Sequence, residues 1–107
     1  MEKQDVIAAL AALAQETRLD VFRRLVQAGV SGLPAGALST GLSIPPATLS
    51  FHLKELRNAR LVTAKREGRS IRYLPDFSVI ADLVGYLGEN CCRDEACSGA
   101  SLSTDSN

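Results

Sequence analysis

Three cysteines near the carboxyl end of the chain have the residue type and the spacing for ion binding or disulfide chemistry. Cys91, Cys92 and Cys97 fall within seven residues. An odd, clustered set is a poor disulfide framework, whereas thiolates are good ligands for soft, thiophilic ions. Three thiolates balance the charge of As(III) or Sb(III), while Zn²⁺ would need a fourth ligand from Asp94, Glu95 or water. The pattern favours a thiophilic-ion site, with a disulfide redox switch or three inert thiols as alternatives.

Length and composition limit what can position these thiols. The chain has 107 residues, 46% of them hydrophobic with only two Tyr and three Phe, which favours one small, aliphatic, mainly helical domain. Its 12 basic and 12 acidic residues are unevenly placed. Residues 43–74 hold seven basic and two acidic side chains, whereas residues 75–107 hold one basic and six acidic ones. The basic middle predicts a polyanionic partner, although a solvated charged face would look the same.

The amino-terminal region gives no sign of targeting or membrane insertion. Glu2 and Asp5 make the start acidic, where a signal peptide would have a basic region. The longest apolar run, residues 6–14, is far shorter than the roughly 20 residues that a membrane helix needs. We therefore expect a cytoplasmic protein with no membrane partner.

Apolar periodicity predicts five helices, at about residues 5–14, 17–28, 34–42, 45–59 and 76–89. In the second of these, Thr17 is the expected N-cap, and the expected buried face consists of Leu19, Phe22, Leu25 and Val26. The fourth is opened by Pro45 and Pro46 and buries a stripe formed by Leu49, Leu53 and Leu56. In the last helix, the apolar residues are Phe77, Ile80, Val84 and Leu87.

A basic β-hairpin is predicted between the last two helices. Residues 61–65 and 70–74 contain β-formers and flank Arg66-Glu67-Gly68-Arg69, in which Gly68 supplies the positive φ of a hairpin turn. Two helices joined by a short turn before a hairpin are typical of a winged helix-turn-helix. The predicted fold class is thus mainly α with a β-hairpin wing.

This organisation predicts a DNA-binding surface on the fourth helix and the wing. Opposite the leucine stripe lies an exposed face on which Phe51 could contact a thymine methyl group. His52, at the border of the stripe, is expected to be structural or a phosphate donor, because no paired nucleophile suggests a catalytic base, and we expect no enzyme. The predicted DNA-contacting residues are Ala47, Thr48, Ser50, Phe51, His52, Lys54, Arg57, Lys65, Arg66, Arg69 and Arg72.

A dimer is expected because one copy of so small a DNA-binding domain makes few contacts with DNA, whereas a two-fold dimer binds two half-sites. The first and last helices, which the helix-turn-helix does not need, are the candidate interface. We thus assign residues 1–90 to DNA binding and dimerisation, 91–97 to the thiol site, and 98–107 to a disordered tail.

The sequence resembles the ArsR/SmtB family of metal- and metalloid-responsive repressors. Thr17-Arg18-Leu19 and residues 22–26 are similar to the second helix of that family, residues 48–56 to its recognition helix, and residues 61–62 with 66–69 to its wing. The match covers roughly residues 6–90. The resemblance implies a dimeric repressor that leaves double-stranded operator DNA when an inducer binds.

Departures from the family pattern reduce the number of candidate inducers. The best-known arsenic sensors carry a Cys-x-Cys pair before the recognition helix, where this chain has Pro34 and Gly36. Zinc and nickel sensors of the family use histidines and carboxylates of the last helix, and the predicted last helix here has no histidine. The three remaining cysteines resemble the carboxyl-terminal arsenite site of a variant branch.

The resulting expectation is a repressor of an arsenic-resistance operon, released when As(III) or Sb(III) binds Cys91, Cys92 and Cys97. A thiol-based redox regulator is the alternative within the same class. A small thiol reductase is disfavoured because Cys91-Cys92 is not a Cys-x-x-Cys motif. A purely architectural DNA binder would respond to no inducer.

Overall fold

The fold consists of five α-helices and a three-stranded antiparallel sheet within residues 1–95, the part of the chain that this computed structural model describes. The elements in chain order are α1 (Lys3–Leu13), α2 (Glu16–Ala28), β1 (Leu33–Pro34), α3 (Ala35–Leu42), α4 (Pro46–Asn58), β2 (Val62–Glu67), β3 (Ser70–Pro75) and α5 (Phe77–Gly88). A single 3₁₀ turn, Gly29–Ser31, joins α2 to β1. This is a winged helix-turn-helix, and the predicted fold class is confirmed. Across the described residues, no helix is long and apolar enough to cross a membrane.

Local sequence explains where the helices begin. Pro46 occupies the first turn of α4, where its missing N–H needs no partner, as predicted. The Asp76 carboxylate caps α5 by accepting from the backbone N–H groups of Ser78 and Val79 at 3.1 and 3.3 Å. The prediction of Thr17 as the N-cap of α2 is wrong. Gln15 takes that role, because its longer side chain reaches the N–H of Arg18 at 2.8 Å.

The core lies between α1, α2, α3 and α4 and the start of the wing. The predicted stripe on α4 is confirmed, since Leu49, Leu53 and Leu56 are all buried. On α2, the buried residues are Val21, Phe22 and Leu25, whereas Leu19 and Val26 are exposed, contrary to prediction. The buried stripe of α2 is therefore rotated toward Val21, and α2 packs against α1, α3 and α4.

The helix-turn-helix itself consists of α3, the turn at residues 43–45, and α4. Ser43 adopts the left-handed conformation that ends α3, with φ at 55°. The hydroxyl of Ser39 donates to the carbonyl oxygen of Ile44 at 2.5 Å, which ties the turn back onto α3. These contacts fix the direction in which α4 leaves the turn.

A short strand that the sequence pattern missed anchors the wing. Leu33 pairs with Tyr73 and Pro34 pairs with Arg72, which gives the sheet order β1-β3-β2. The chain can approach β3 this closely only because residue 32 is glycine. Its φ is 65°, and a Cβ there would overlap the carbonyl oxygen of Tyr73.

The hairpin of the wing follows the predicted turn. Strands β2 and β3 pair from Val62 opposite Pro75 to Glu67 opposite Ser70, which leaves Gly68 and Arg69 as a two-residue loop. Gly68 has φ at 61° and Arg69 does not have a positive φ. Glycine at the first loop position with φ above zero is typical of a type II′ turn. The predicted role of Gly68 is confirmed.

Helix α5 is only loosely attached to the rest of the described chain. Leu83 is its one buried residue, while Phe77, Val84 and Leu87 are 41%, 45% and 59% exposed. On α1, Ile7 and Leu10 are similarly exposed. Within one protomer, the first and last helices thus leave apolar side chains uncovered.

Candidate nucleic-acid interface

The outward face of α4 carries the side chains that the sequence analysis assigned to DNA. Six of the seven predicted contact residues on this helix are exposed, and they are Ala47, Thr48, Ser50, Phe51, Lys54 and Arg57. Phe51 is 56% exposed, which is high for a large apolar side chain. The helix therefore presents a continuous surface opposite the buried leucine stripe.

His52 is the exception, because it is 8% exposed and points into the core. Its Nδ1 lies 3.4 Å from Nη1 of Arg18, and the Nε of Arg18 donates to the carbonyl oxygen of Ala12 at 2.8 Å. A guanidinium can only donate, so Nδ1 is the acceptor and the ring is neutral. Burial, and secondarily the charge of Arg18, lowers the pKa of His52. His52 is therefore a structural residue and does not belong to the exposed face of α4.

Arg18 has a positioning role that sequence reasoning missed. It connects the end of α1, α2 and the recognition helix α4. No local signal reveals this role, since Arg18 and His52 are separated by 34 positions in the chain.

The wing presents three exposed cations, Lys65, Arg66 and Arg69, with Arg69 in the turn at the tip. Arg66 also donates from Nη1 to the carbonyl oxygen of Gly68 at 3.4 Å, within the wing itself. All three side chains are placed where the sequence analysis expected them.

Arg72 differs from the other cations of the wing because its guanidinium is engaged within the protein. Its Nε lies 3.1 Å from a carboxylate oxygen of Glu67, and its Nη1 donates to the carbonyl oxygens of Ser31 and Gly32 at 3.4 and 3.3 Å. The side chain is about two-thirds buried. Its position indicates an anchor between the wing and the turn before β1, and not a phosphate contact.

A groove runs between the carboxyl-terminal half of α4 and the base of the wing. Its lining includes the cations Lys54, Arg57 and Arg60, together with Thr63 and the α5 cap Asp76. Arg60 was not among the predicted contacts, although it lies in the basic segment. Arg60 lies two residues after the end of α4, and its φ of 66° marks the turn that leads from the helix into the wing. Three cations along one groove suit a phosphate backbone.

The cysteines follow directly after α5. The backbone N–H of Cys91 donates to the carbonyl oxygen of Gly88 at 3.1 Å, which extends the end of the helix by a turn. The Sγ atoms of Cys91 and Cys92 are 3.4 Å apart, and Cys92 is disulfide-bonded. Cys97 and the predicted tail at 98–107 lie outside the described residues. Over residues 1–95, no three His, Cys, Asp or Glu side chains converge on a metal position.

Comparison with known proteins agrees with this geometry. A family model described as a helix-turn-helix domain matches residues 13–63, which include α2, α3 and α4. HlyU from Vibrio cholerae N16961 is 32% identical, with a TM-score of 0.64, and the match covers 86% of this chain and 99% of that one. An ArsR-like transcriptional regulator from Rhodococcus sp. RHA1 is 27% identical, with a TM-score of 0.71 over 78% and 76% of the two chains. The chain belongs to the ArsR family of transcriptional regulators.

A further ArsR-type structure is that of AntR, an antimony-specific transcriptional repressor. It is 29% identical to this chain, with a TM-score of 0.63, and the match covers 80% of this chain and 77% of that one. A search of curated protein sequences gives no match. As an ArsR-family regulator, the protein uses its helix-turn-helix to bind DNA.

Proposed function

We propose that this ArsR-family regulator represses an arsenic-resistance operon and leaves its operator when As(III) or Sb(III) binds Cys91, Cys92 and Cys97. The observation that supports the inducer is the pair of adjacent cysteines after α5, Cys91 and Cys92, whose Sγ atoms are 3.4 Å apart. Two sulfurs bound to one ion by bonds of about 2.3 Å have a similar separation. The likeness to an antimony-specific repressor supports the same inducer class.

Formation of the metalloid site is an exchange of ligands. As(OH)₃ forms three As–S bonds with three thiols, each thiol proton leaves with a hydroxide, and three waters are released. The disulfide at Cys92 must first be reduced, by a cellular or added thiol reductant that is itself oxidised. The site is thus available only in a reducing environment.

Operator recognition requires a dimer in this proposal. The uncovered apolar residues of α1 and α5, which are Ile7, Leu10, Val84 and Leu87, fit the predicted interface between two copies. A helix that buries only Leu83 within its own protomer gains most of its packing from such a partner.

Cys91 and Cys92 lie directly after this same helix, so inducer binding there would act on the proposed dimer interface. A metalloid that binds the chain after α5 to the helix end changes how the two α5 helices pack, and thereby the spacing of the two α4 helices. Such a switch needs an inducer that prefers the DNA-free arrangement, with a typical coupling free energy of about 1–3 kcal/mol.

The test is operator binding with and without arsenite, in the presence of a thiol reductant, on a duplex selected from a random pool. The wild type should be released, and Cys→Ser variants at the three positions should stay bound. Release of the triple variant at the same arsenite concentration would rule out the cysteine site. Single variants also separate inorganic arsenite, which uses three thiolates, from a monomethylated arsenical, which uses two.

A redox regulator is the second candidate, and the disulfide at Cys92 favours it. Here peroxide would oxidise two thiols to a disulfide and be reduced to water, with no metalloid involved. Release by peroxide, together with a mass loss of about two hydrogens and no release by arsenite, would select this function.

A further inference from the structure

We infer that α4 reads the C5-methyl group of thymine through Phe51, and that His52 and Arg18 position the Phe51 ring for this contact. The inference deepens the proposed function, on whose operator binding it rests, by naming the base feature that the protein recognises. It is independent of the inducer.

The exposed face of α4 is divided into two halves of different chemistry. The amino-terminal half carries Ala47, Thr48 and Phe51, and none of these is charged. The carboxyl-terminal half carries Lys54 and Arg57, which line the groove at the base of the wing. In helix-turn-helix proteins, the amino-terminal residues of the recognition helix contact base edges. In this arrangement the cations would face phosphates and the apolar surface would face the bases.

Thymine is the base that fits this surface. In the major groove, it alone among the four bases presents a methyl group, and apolar side chains are its usual partners. The neighbouring hydroxyls of Thr48 and Ser50 can donate or accept, so they discriminate weakly between bases. The exposed ring of Phe51 forms no hydrogen bond, and a guanine or cytosine edge placed against it would lose hydrogen bonds to water without compensation.

The Phe51 ring contacts a second aromatic ring. It packs edge-to-face against His52, with ring centroids 5.4 Å apart and an interplanar angle of 66°. His52 in turn contacts Arg18, which donates to the carbonyl oxygen of Ala12. A partly buried series of contacts thus runs from the end of α1 to the exposed ring. His52 and Arg18 touch no DNA in this arrangement and act as positioning residues.

The experiment replaces thymine by deoxyuridine, which removes only the methyl group. Duplexes are first selected from a random pool with the full-length protein under reducing conditions, and each thymine of the selected site is then replaced in turn. When the thymine facing Phe51 is replaced by deoxyuridine, we expect the affinity to fall about fourfold for a replacement in one half-site and about 15-fold for replacements in both. These factors follow from the usual free energy of burying one methyl group. The dependence of affinity on salt should not change, because no phosphate contact is lost.

Three variants test the residues. Phe51→Ala should bind thymine and uracil duplexes equally, while Ser50→Ala, an exposed neighbour, should keep the wild-type ratio. His52→Asn keeps an acceptor for Arg18 but removes the ring beside Phe51. This variant should fold, and it should lower the ratio of the affinity for the thymine duplex to that for the uracil duplex. A purely structural role of His52 would leave this affinity ratio unchanged.

The outcomes separate this inference from the proposed function. Equal binding of thymine and uracil at every position by the wild type, or an unchanged ratio in Phe51→Ala, would overturn the thymine contact alone. An unchanged ratio in His52→Asn would overturn the positioning role. Failure to select any duplex would overturn the proposed function as well.

Discussion

Two arginines of the wing should respond in opposite ways to the same substitution. Arg69 lies exposed at the tip of the hairpin, whereas Arg72 is held by Glu67 and by the carbonyl oxygens of Ser31 and Gly32. Arg69→Gln should therefore weaken DNA binding without loss of stability. Arg72→Gln should lower stability and leave the electrostatic part of DNA binding unchanged.

The expected magnitudes follow from these contacts. Each phosphate neutralised by a cation contributes about −0.9 to the slope of log K against log salt concentration. The exposed cations of the basic surface are Lys54, Arg57, Arg60, Lys65, Arg66 and Arg69. If all six contact phosphates, a bound protomer has a slope of about −5, and Arg69→Gln makes it about 0.9 less steep. Arg72→Gln should keep the slope and lower the free energy of unfolding by about 1 kcal/mol, since its partners stay partly solvated.

The assay is fluorescence anisotropy of a labelled duplex over a series of salt concentrations, combined with urea unfolding of each variant. Equal changes of slope in Arg69→Gln and Arg72→Gln would refute the division of roles between the two residues. A nearly flat slope in the wild type would refute the phosphate surface as a whole.

Three further predictions concern folding and assembly. Gly32→Ala should lower the free energy of unfolding by more than about 3 kcal/mol, because the positive φ of residue 32 is combined with an overlap between the new Cβ and the Tyr73 carbonyl. Gly68→Ala, where a Cβ would meet no atom within 4 Å, should lower it by only about 1 kcal/mol. Urea unfolding measures both changes. The lowered pKa of His52 means that the unfolded chain takes up a proton before the folded one does. The free energy of unfolding should hence fall as pH drops below about 6.5, and His52→Asn, compared over the same pH range, should flatten that fall. Leu87→Glu places a charge on the uncovered face of α5 and should shift the protein from dimer to monomer in analytical ultracentrifugation; an unchanged mass would count against the proposed interface.

Sequence patterns were sufficient where a structural feature depends on neighbours along the chain. The leucines of α4 repeat at helical spacing, and Pro46 and Gly68 have backbone preferences of their own, so the recognition helix and the hairpin turn were predictable. The exposed face of α4 followed directly from the buried stripe. These local features cover most of the candidate DNA surface.

The features that escaped prediction depend on residues far apart in sequence. Strand β1 has only two residues and exists because β3, about 40 positions later, offers it an edge. His52 is buried by a contact to Arg18, and Arg72 is engaged by carbonyls that precede β1. Helical periodicity assigns a residue to a face, but it does not show which other element covers that face or competes for its side chain.

The contacts of Arg18 also have a consequence for the operator. One guanidinium joins the end of α1, a proposed dimer element, to His52 in the recognition helix. In the proposed dimer, α1 and the recognition helix of each protomer would then move as one unit, which would limit changes in the distance and rotation between the two α4 helices. The DNA between the half-sites should tolerate changes of base but not of length, because one inserted base pair turns the second half-site by about 35° around the duplex axis. Operator binding would then depend on the length of the spacer and not on its base sequence.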